Sequence, residues 1–217
     1  MSQLPLPISW SGSGGGEALL IHAANAEVIA LLRNWQSWPS HCTLLVGERK
    51  SGRTLIGHWF DAETGGLVMD DAERCEEQQL FNLWNDSRDR KQPLLLIVEE
   101  APPIWKVALP DLRTRLATAA IARIALPDEA VTAALIAHSL ERAGSAFAPD
   151  VPEFVARRTP RCYETIDTVV ARLNALSLAS GQKLSVASVR QALDGESFWE
   201  VDAALDSNIR EGMDNRG

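Results

Sequence analysis

A glycine-rich loop between an apolar run and a helical pattern carries residue types that bind phosphate. Residues 47–54 read Gly-Glu-Arg-Lys-Ser-Gly-Arg-Thr and match G-x-x-x-x-G-[KR]-[ST]. Glycines let backbone N–H groups converge on a phosphate, and the helix that follows adds partial positive charge. The candidate nucleotide-binding residues of the loop are Gly47, Lys50, Ser51, Gly52, Arg53 and Thr54. An ordinary glycine-containing turn between a strand and a helix is the alternative.

The cation of this loop is an arginine where lysine is usual. The planar fork of Arg53 is larger than the compact ammonium of lysine. This difference leaves nucleotide binding open and argues against fast hydrolysis.

Two carboxylates follow the next apolar run. Asp70 and Asp71 come directly after residues 67–69. A phosphate-loop protein places an aspartate there to hold Mg²⁺, with a second acid to position water. The predicted metal ligands are therefore Thr54 and Asp70, and both aspartates join the nucleotide-binding set. The run 94–100 also ends in two acids and competes for this role, and solvated acids at strand ends are the alternative.

Two arginines are candidates for contacting a phosphate from outside the loop. Arg115 could reach a nucleotide on a neighbouring subunit, as arginine fingers do. Arg161 precedes a helical pattern and could fold back onto phosphates bound at the loop. A surface arginine is the alternative at both positions.

The elements that must position these groups alternate between strand and helix patterns. Short apolar runs predict strands, and three of them have the continuous character of strands buried on both faces. The predicted strands are 19–21, 43–46, 67–69 and 94–98, the last three buried. Helices are predicted after Asn25, an expected N-cap, and over residues 55–60 and 78–91. Strands separated by helices predict a parallel α/β sheet.

The pattern changes from α/β to all-helical near residue 125. The predicted segments are 1–16, an extended leader; 17–125, the α/β nucleotide-binding domain; 126–193, a helical lid domain; and 194–217, an acidic tail. Asp150 and Glu153 form a capping-box pattern that predicts a helix start. A further helix is predicted over 163–178, with a stop at Gly181.

Composition bounds the classes of function. The 217 residues carry 21 Lys and Arg against 29 Asp and Glu, a net charge of −8, so direct sequence-specific DNA binding is not expected. No apolar run approaches the roughly 20 residues of a membrane helix, and no secretory signal pattern is present. The three cysteines are scattered, with no metal-ligand spacing. We expect a cytoplasmic protein with reduced thiols.

The order of these parts resembles the DnaA-like AAA+ family of P-loop ATPases, and most closely its short Hda-type members. The resemblance covers about residues 3–193. Its most specific parts are Gln3-Leu4-Pro5-Leu6-Pro7 and the run Leu-Pro-Asp-Leu-x-x-Arg-Leu at 109–116. It implies an AAA+ fold with a helical lid, and ADP or ATP with Mg²⁺ as cofactors. It also implies that Arg115 is the catalytic arginine finger, that Arg161 is the sensor arginine of the lid, and that residues 19–25 line the adenine pocket.

The same resemblance implies a regulator of chromosomal replication initiation. Gln3, Leu4 and Leu6 would dock on the DNA-polymerase sliding clamp, because a proline-stiffened peptide loses little entropy on binding. The protein would promote hydrolysis of ATP bound to DnaA and so regulate initiation negatively, with at most a weak ATPase activity of its own. A nucleotide-free adaptor of the same fold and a self-sufficient P-loop ATPase are the alternatives. Homo-oligomerisation is left open.

Two features depart from the family pattern. Only residues 61–66 separate the helix pattern ending at Phe60 from the next strand, where the family normally has another strand and helix. We therefore expect a sheet that is one strand short. Glu99 and Glu100 stand where the family has a small polar or Asp sensor residue, and two acids repel a phosphate. Together with Arg53, these acids argue against nucleotide and Mg²⁺ binding.

Overall fold

The computed structural model describes residues 9–11 and 19–193. The predicted clamp peptide with Gln3, Leu4 and Leu6 and the predicted tail 194–217 lie outside these residues. The chain divides into two compact units, one up to Leu126 and one from Pro127. No helix in the described part of the chain is long and apolar enough to cross a bilayer.

A parallel sheet of four strands forms the core of the first unit. Before it come β1 (Ser9–Ser11) and β2 (Leu19–Ile21), which pair antiparallel. The strands of the main sheet are β3 (Cys42–Val46), β4 (Leu67–Met69), β5 (Leu94–Val98) and β6 (Ala120–Arg123). Their spatial order is β4-β5-β3-β6. Four helices accompany the strands: α1 (Ala26–Arg33), α2 (Arg53–Thr64), α3 (Glu77–Arg90) and α4 (Pro110–Leu116).

The position of each strand in the sheet decides its burial. The strands β3 and β5 lie inside the sheet and are buried at every residue, as predicted. The strand predicted over 67–69 is confirmed, but its predicted burial is wrong, because all three residues of β4 are only half-buried. Among the described residues, β4 has a partner on one side only, so its other edge keeps part of its exposure.

The connection from α2 to β4 is shorter than the sequence pattern predicted. The helix predicted over 55–60 runs from Arg53 to Thr64, and only Gly65 and Gly66 separate it from β4. A Cβ at Gly66 would come within 2.9 Å of the Pro93 carbonyl oxygen, so the chain passes β5 too closely for any side chain there. No strand lies between α2 and β4, in line with a sheet one strand short of the family pattern.

The helix α4 and the strand β6 were not predicted from the sequence. The helix α4 begins with Pro110 at its first turn, a position that proline favours. The strand β6 has the alanine-rich sequence Ala-Ile-Ala-Arg, which has weak strand propensity. These residues form a strand because they pair with β3. Ala120 lies opposite Thr43, and Arg123 lies opposite Val46.

The second unit is helical. Its helices are α5 (Glu129–Arg142), α6 (Val151–Ala156), α7 (Tyr163–Ser180) and α8 (Val186–Leu193), and they enclose a core that includes Ile136, Leu140, Val155, Val169 and Leu173. The predicted stop of α7 at Gly181 is confirmed by its left-handed backbone, with φ of 61°. The predicted helix start at Asp150 is confirmed, because Asp150 is the N-cap residue of α6, but its side chain makes no capping bond, so the predicted capping box is not formed. At the start of α5, Asp128 does cap, since it accepts from the Val131 N–H at 2.7 Å.

Candidate functional site

The glycine-rich loop leaves the carboxyl end of β3 and curls tightly before α2 begins. Lys50 and Gly52 both have left-handed backbones, with φ of 65° and 82°. A Cβ at Gly47 would lie 2.7 Å from the Ser51 Oγ and 3.0 Å from Ile124 Cδ1, so any larger residue there requires these side chains to shift. Ser51 is buried, whereas Lys50 is exposed. The loop therefore has the tight turn that the motif requires for backbone N–H groups to converge.

The Arg53 side chain folds back into this loop. Its guanidinium is buried, with 8% of the residue exposed. Nη1 donates to the Gly47 carbonyl oxygen at 3.0 Å. Nη2 donates to Asp71 Oδ1 at 2.8 Å and to Glu99 Oε1 at 3.3 Å. One cation thus joins the loop to residues that follow two neighbouring strands, β4 and β5.

Acidic groups outnumber the cations around Arg53. Carboxylate oxygens of Asp71, Glu73 and Glu99 lie within 4.8 Å of one another. The Glu99 N–H donates to Glu73 Oε1 at 3.0 Å, which orders the cluster. Arg74 is the second cation, at 4.0 Å from Asp71 and 3.7 Å from Glu99. A phosphate entering the loop must draw Arg53 away from two carboxylates and overcome their repulsion.

The two adjacent aspartates after β4 have different partners. Thr54 Oγ1 donates to Asp70 Oδ2 at 2.6 Å, whereas Asp71 pairs with Arg53. Asp71 has a left-handed backbone with φ of 47°, and its N–H donates to Asp70 Oδ1 at 2.9 Å. The predicted metal ligands, Thr54 and Asp70, are therefore in contact. Their hydroxyl and carboxylate oxygens are the hard donors that Mg²⁺ prefers, so this pair fits the ion.

The segment between β2 and α1 is held by one amide side chain. Asn25 Oδ1 accepts from the His22 N–H at 2.8 Å, and its Nδ2 donates to the Leu20 carbonyl at 2.9 Å. Asn25 is the N-cap residue of α1, as predicted, but its side chain makes no capping bond to the helix. The segment implied to line the adenine pocket is thus fixed by internal bonds, and β2 contacts α2.

Arg115 lies near the amino ends of the strands, whereas the loop follows the carboxyl end of β3. It is in the last turn of α4, shortly before β6 begins. Its partner Asn85 directly follows Trp84, whose carbonyl oxygen lies 3.2 Å from Nε2 of His41, the residue that directly precedes β3. Burial lowers the pKa of His41, and the charges of Arg88 and Arg115 lower it further, against the raising effect of the bond to the Trp84 carbonyl. Arg115 therefore lies by the amino ends of β3 and β6.

Contacts with α3 hold Arg115 and its helix. Arg115 Nη1 donates to Asn85 Oδ1 at 2.6 Å, and its Cζ lies 4.1 Å from the centroid of the Phe81 ring. At the start of α3, the Glu77 carboxylate accepts from the backbone N–H groups of Ala108 and Leu109, immediately before α4. The half-buried arginine is thus fixed from one neighbouring helix.

The structure brings some predicted site residues together and leaves others apart. Gly47, Arg53 and Asp71 form one group, and Thr54 and Asp70 form a second beside it. Arg161 belongs to the second unit, where it is exposed and lies two residues before α7. The sequence reasoning did not identify four residues of these clusters: Glu73, Arg74, Phe81 and Asn85. The spacing of Phe81 and Asn85 by four residues on a helix was the available signal for the last two.

Cys42, Cys75 and Cys162 are all free thiols. Burial within β3 raises the pKa of the Cys42 thiol and keeps it protonated. Cys42 is therefore a core residue.

Comparison with solved structures places this arrangement in a known fold. The chain is similar to the RuvB Holliday junction branch migration motor of Thermotoga maritima, with a TM-score of 0.59 and 14% identity, over 79% of this chain and 67% of that chain. It is also similar to the replication initiator DnaA bound to AMPPCP and single-stranded DNA, with a TM-score of 0.54 and 13% identity, over 70% of this chain and 62% of that chain. Domain III of Thermotoga maritima DnaA gives a TM-score of 0.50 and 14% identity, over 76% of this chain and 75% of that chain.

These likenesses define the class of protein by its fold. The chain has the AAA+ P-loop fold, with a parallel sheet and flanking helices, and this prediction is confirmed. The sequence itself matches no protein-family model. DnaA is among the AAA+ proteins of similar structure.

Proposed function

We propose that this chain is a regulatory AAA+ protein of the Hda type, which acts on ATP bound to DnaA. It promotes hydrolysis of that ATP, converts the initiator to its ADP form and so negatively regulates initiation of chromosomal replication in the cytoplasm. The observation that carries this proposal is the position of Arg115 relative to the loop of its own chain.

The topology separates Arg115 from the phosphate loop by the length of a strand. Arg115 lies by the amino ends of β3 and β6, and the loop follows the carboxyl end of β3. A strand of five residues spans about 16 Å. This separation supports the proposal that Arg115 serves a nucleotide on another chain. Arginine fingers supplied in trans raise hydrolysis rates by about 10³–10⁵.

We also propose that the chain binds ADP or ATP with Mg²⁺, without rapid turnover. The structure of DnaA to which the chain is similar contains AMPPCP. Gly47, Lys50, Ser51 and Gly52 would surround the phosphates, Arg53 and Asp71 would lie beside them, Thr54 and Asp70 would hold Mg²⁺, and Arg161 would contact the nucleotide from the lid. The contacts of Arg53 with Asp71 and Glu99 support slow turnover, since they compete with phosphate for the same guanidinium.

The test compares two arginine variants from the same helix. Arg115→Ala should abolish stimulation of ATP hydrolysis by DnaA, measured with DnaA loaded with ATP and the clamp on DNA. Arg113→Ala removes the same charge from an exposed position of α4 and should keep the stimulation. If Arg115→Ala stimulates hydrolysis as well as the unaltered chain does, the proposal is wrong.

The proposed tether to the sliding clamp is tested separately. Gln3, Leu4 and Leu6 lie outside the described residues, so its support is the sequence of the peptide alone. A pull-down with the clamp should retain the unaltered chain and lose the variant Gln3→Ala/Leu6→Ala. Equal retention of both would remove the tether from the proposal.

A nucleotide-free adaptor that bridges replication proteins is the second candidate. The specific observation in its favour is the guanidinium of Arg53, which is already bonded to Gly47, Asp71 and Glu99. A thermal shift assay separates the candidates, because a ligand at 100 times its dissociation constant stabilises a protein by about 2.7 kcal/mol. A shift with millimolar Mg-ADP or Mg-ATP would exclude the adaptor, and no shift with either would favour it.

A further inference from the structure

The partners of Arg115 are both uncharged. One is the amide oxygen of Asn85, and the other is the ring of Phe81. Within residues 19–193, no carboxylate forms an ion pair with its guanidinium, although α3 and α4 both carry acidic residues. The side chain is thus fixed in direction while its positive charge stays uncompensated.

Several other arginines in the described part of the chain are held by carboxylates instead. Arg53 pairs with Asp71 and Glu99, and Arg157 pairs with Glu129 at 3.1 Å. A carboxylate partner cancels most of the charge that a guanidinium presents to a phosphate. An amide oxygen and an aromatic face orient the guanidinium and leave that charge available.

We infer that Asn85 and Phe81 are positioning residues, which keep the Arg115 guanidinium oriented and fully charged for the γ-phosphate of ATP on a partner chain. This inference rests on the proposed function. The two residues are four apart on α3 and so lie on one face of that helix. Phe81 supports the plane of the guanidinium and Asn85 fixes its rotation, so little ordering remains when the partner binds.

The sharpest test changes the charge of the partner and keeps its shape. Asn85→Asp is nearly isosteric and places a carboxylate beside Arg115, which should preserve folding. Because a fully effective arginine finger contributes about 10³–10⁵ in rate, we expect the maximal stimulation of DnaA to fall at least about tenfold. The concentration of this protein that gives half-maximal stimulation should change less than about twofold, since docking is not altered.

A matched control lies one turn earlier on the same helix. The exposed Asn82 side chain accepts from Gln78 Nε2 at 3.2 Å, away from Arg115. Asn82→Asp adds the same charge to α3 and should leave the maximal stimulation unchanged. Phe81→Leu keeps an apolar side chain without the aromatic face and is expected to lower the maximal stimulation about tenfold, because cation–π support is lost. This variant decides the matter if thermal melting shows that Asn85→Asp does not fold.

Four results would overturn the inference. For folded Asn85→Asp, they are an unchanged maximal rate or a change confined to the concentration that gives half-maximal stimulation. The third is an equal loss of maximal rate with Asn82→Asp. The fourth applies if Asn85→Asp does not fold, and it is an unchanged maximal rate for Phe81→Leu. Arg115→Ala is measured in parallel. If that variant stimulates normally, the proposed function itself fails; if it is inactive while Asn85→Asp is fully active, only the positioning role fails.

Discussion

Replacing Arg53 by methionine tests whether its buried contacts hold the nucleotide-binding region together. The change keeps an apolar stem of similar length and removes the guanidinium. It leaves the buried Gly47 carbonyl oxygen without its donor, a loss of about 1–3 kcal/mol. The carboxylates of Asp71 and Glu99 are 45% and 36% exposed and can rehydrate, so their contacts add only about 1 kcal/mol together.

The expected loss of unfolding free energy is therefore about 2–4 kcal/mol. For a chain of 150–250 residues, this lowers the melting temperature by about 4–16 °C. Thermal unfolding of the full chain, followed by circular dichroism, measures the change. Urea unfolding of the same variant gives the free energy directly.

A neighbouring arginine provides the control for this experiment. Arg74 contacts the same two carboxylates, Asp71 and Glu99, but its side chain is 58% exposed. Arg74→Met should therefore cost less than about 1 kcal/mol, as exposed ion pairs do. If both variants lose the same free energy of unfolding, burial does not explain how the Arg53 contacts stabilise the fold, and the reasoning is refuted.

Three further predictions concern two helix starts and one half-buried histidine, His41. Glu77→Ala should cost about 1 kcal/mol and lower hydrogen-exchange protection at the start of α4, whereas Glu76→Ala, which removes no such bond, should not. Asp128→Ala should cost about 1 kcal/mol in urea unfolding, and Asp150→Ala much less, because only Asp128 makes a capping bond. The pKa of His41 is lowered by burial, so the folded state binds fewer protons than the unfolded state. Stability should fall as pH drops below the ordinary value of 6.5, and by less in His41→Gln; equal pH profiles would contradict this.

The sequence was most informative where structure is local. The loop at 47–54, the buried strands β3 and β5 and the stop of α7 at Gly181 follow from motif, apolar runs and a left-handed glycine. It failed for β6, whose alanines do not favour a strand without the neighbouring β3. It also failed for the burial of β4, because residues 67–69 cannot report that their strand lies at an edge.

The same distinction between local and tertiary structure applies to the candidate site. The sequence by itself determined that a tight glycine turn with a cation meets a helix start, because those features lie within eight consecutive residues. Only the tertiary structure decided that Arg53 meets carboxylates 18 and 46 residues away, and that Arg115 meets an amide 30 residues away. Parallel strands bring their carboxyl ends to one edge whatever their separation in sequence, and packing of α4 on α3 selects the arginine's partners. Such pairings depend on sheet order and helix packing, which no local pattern encodes.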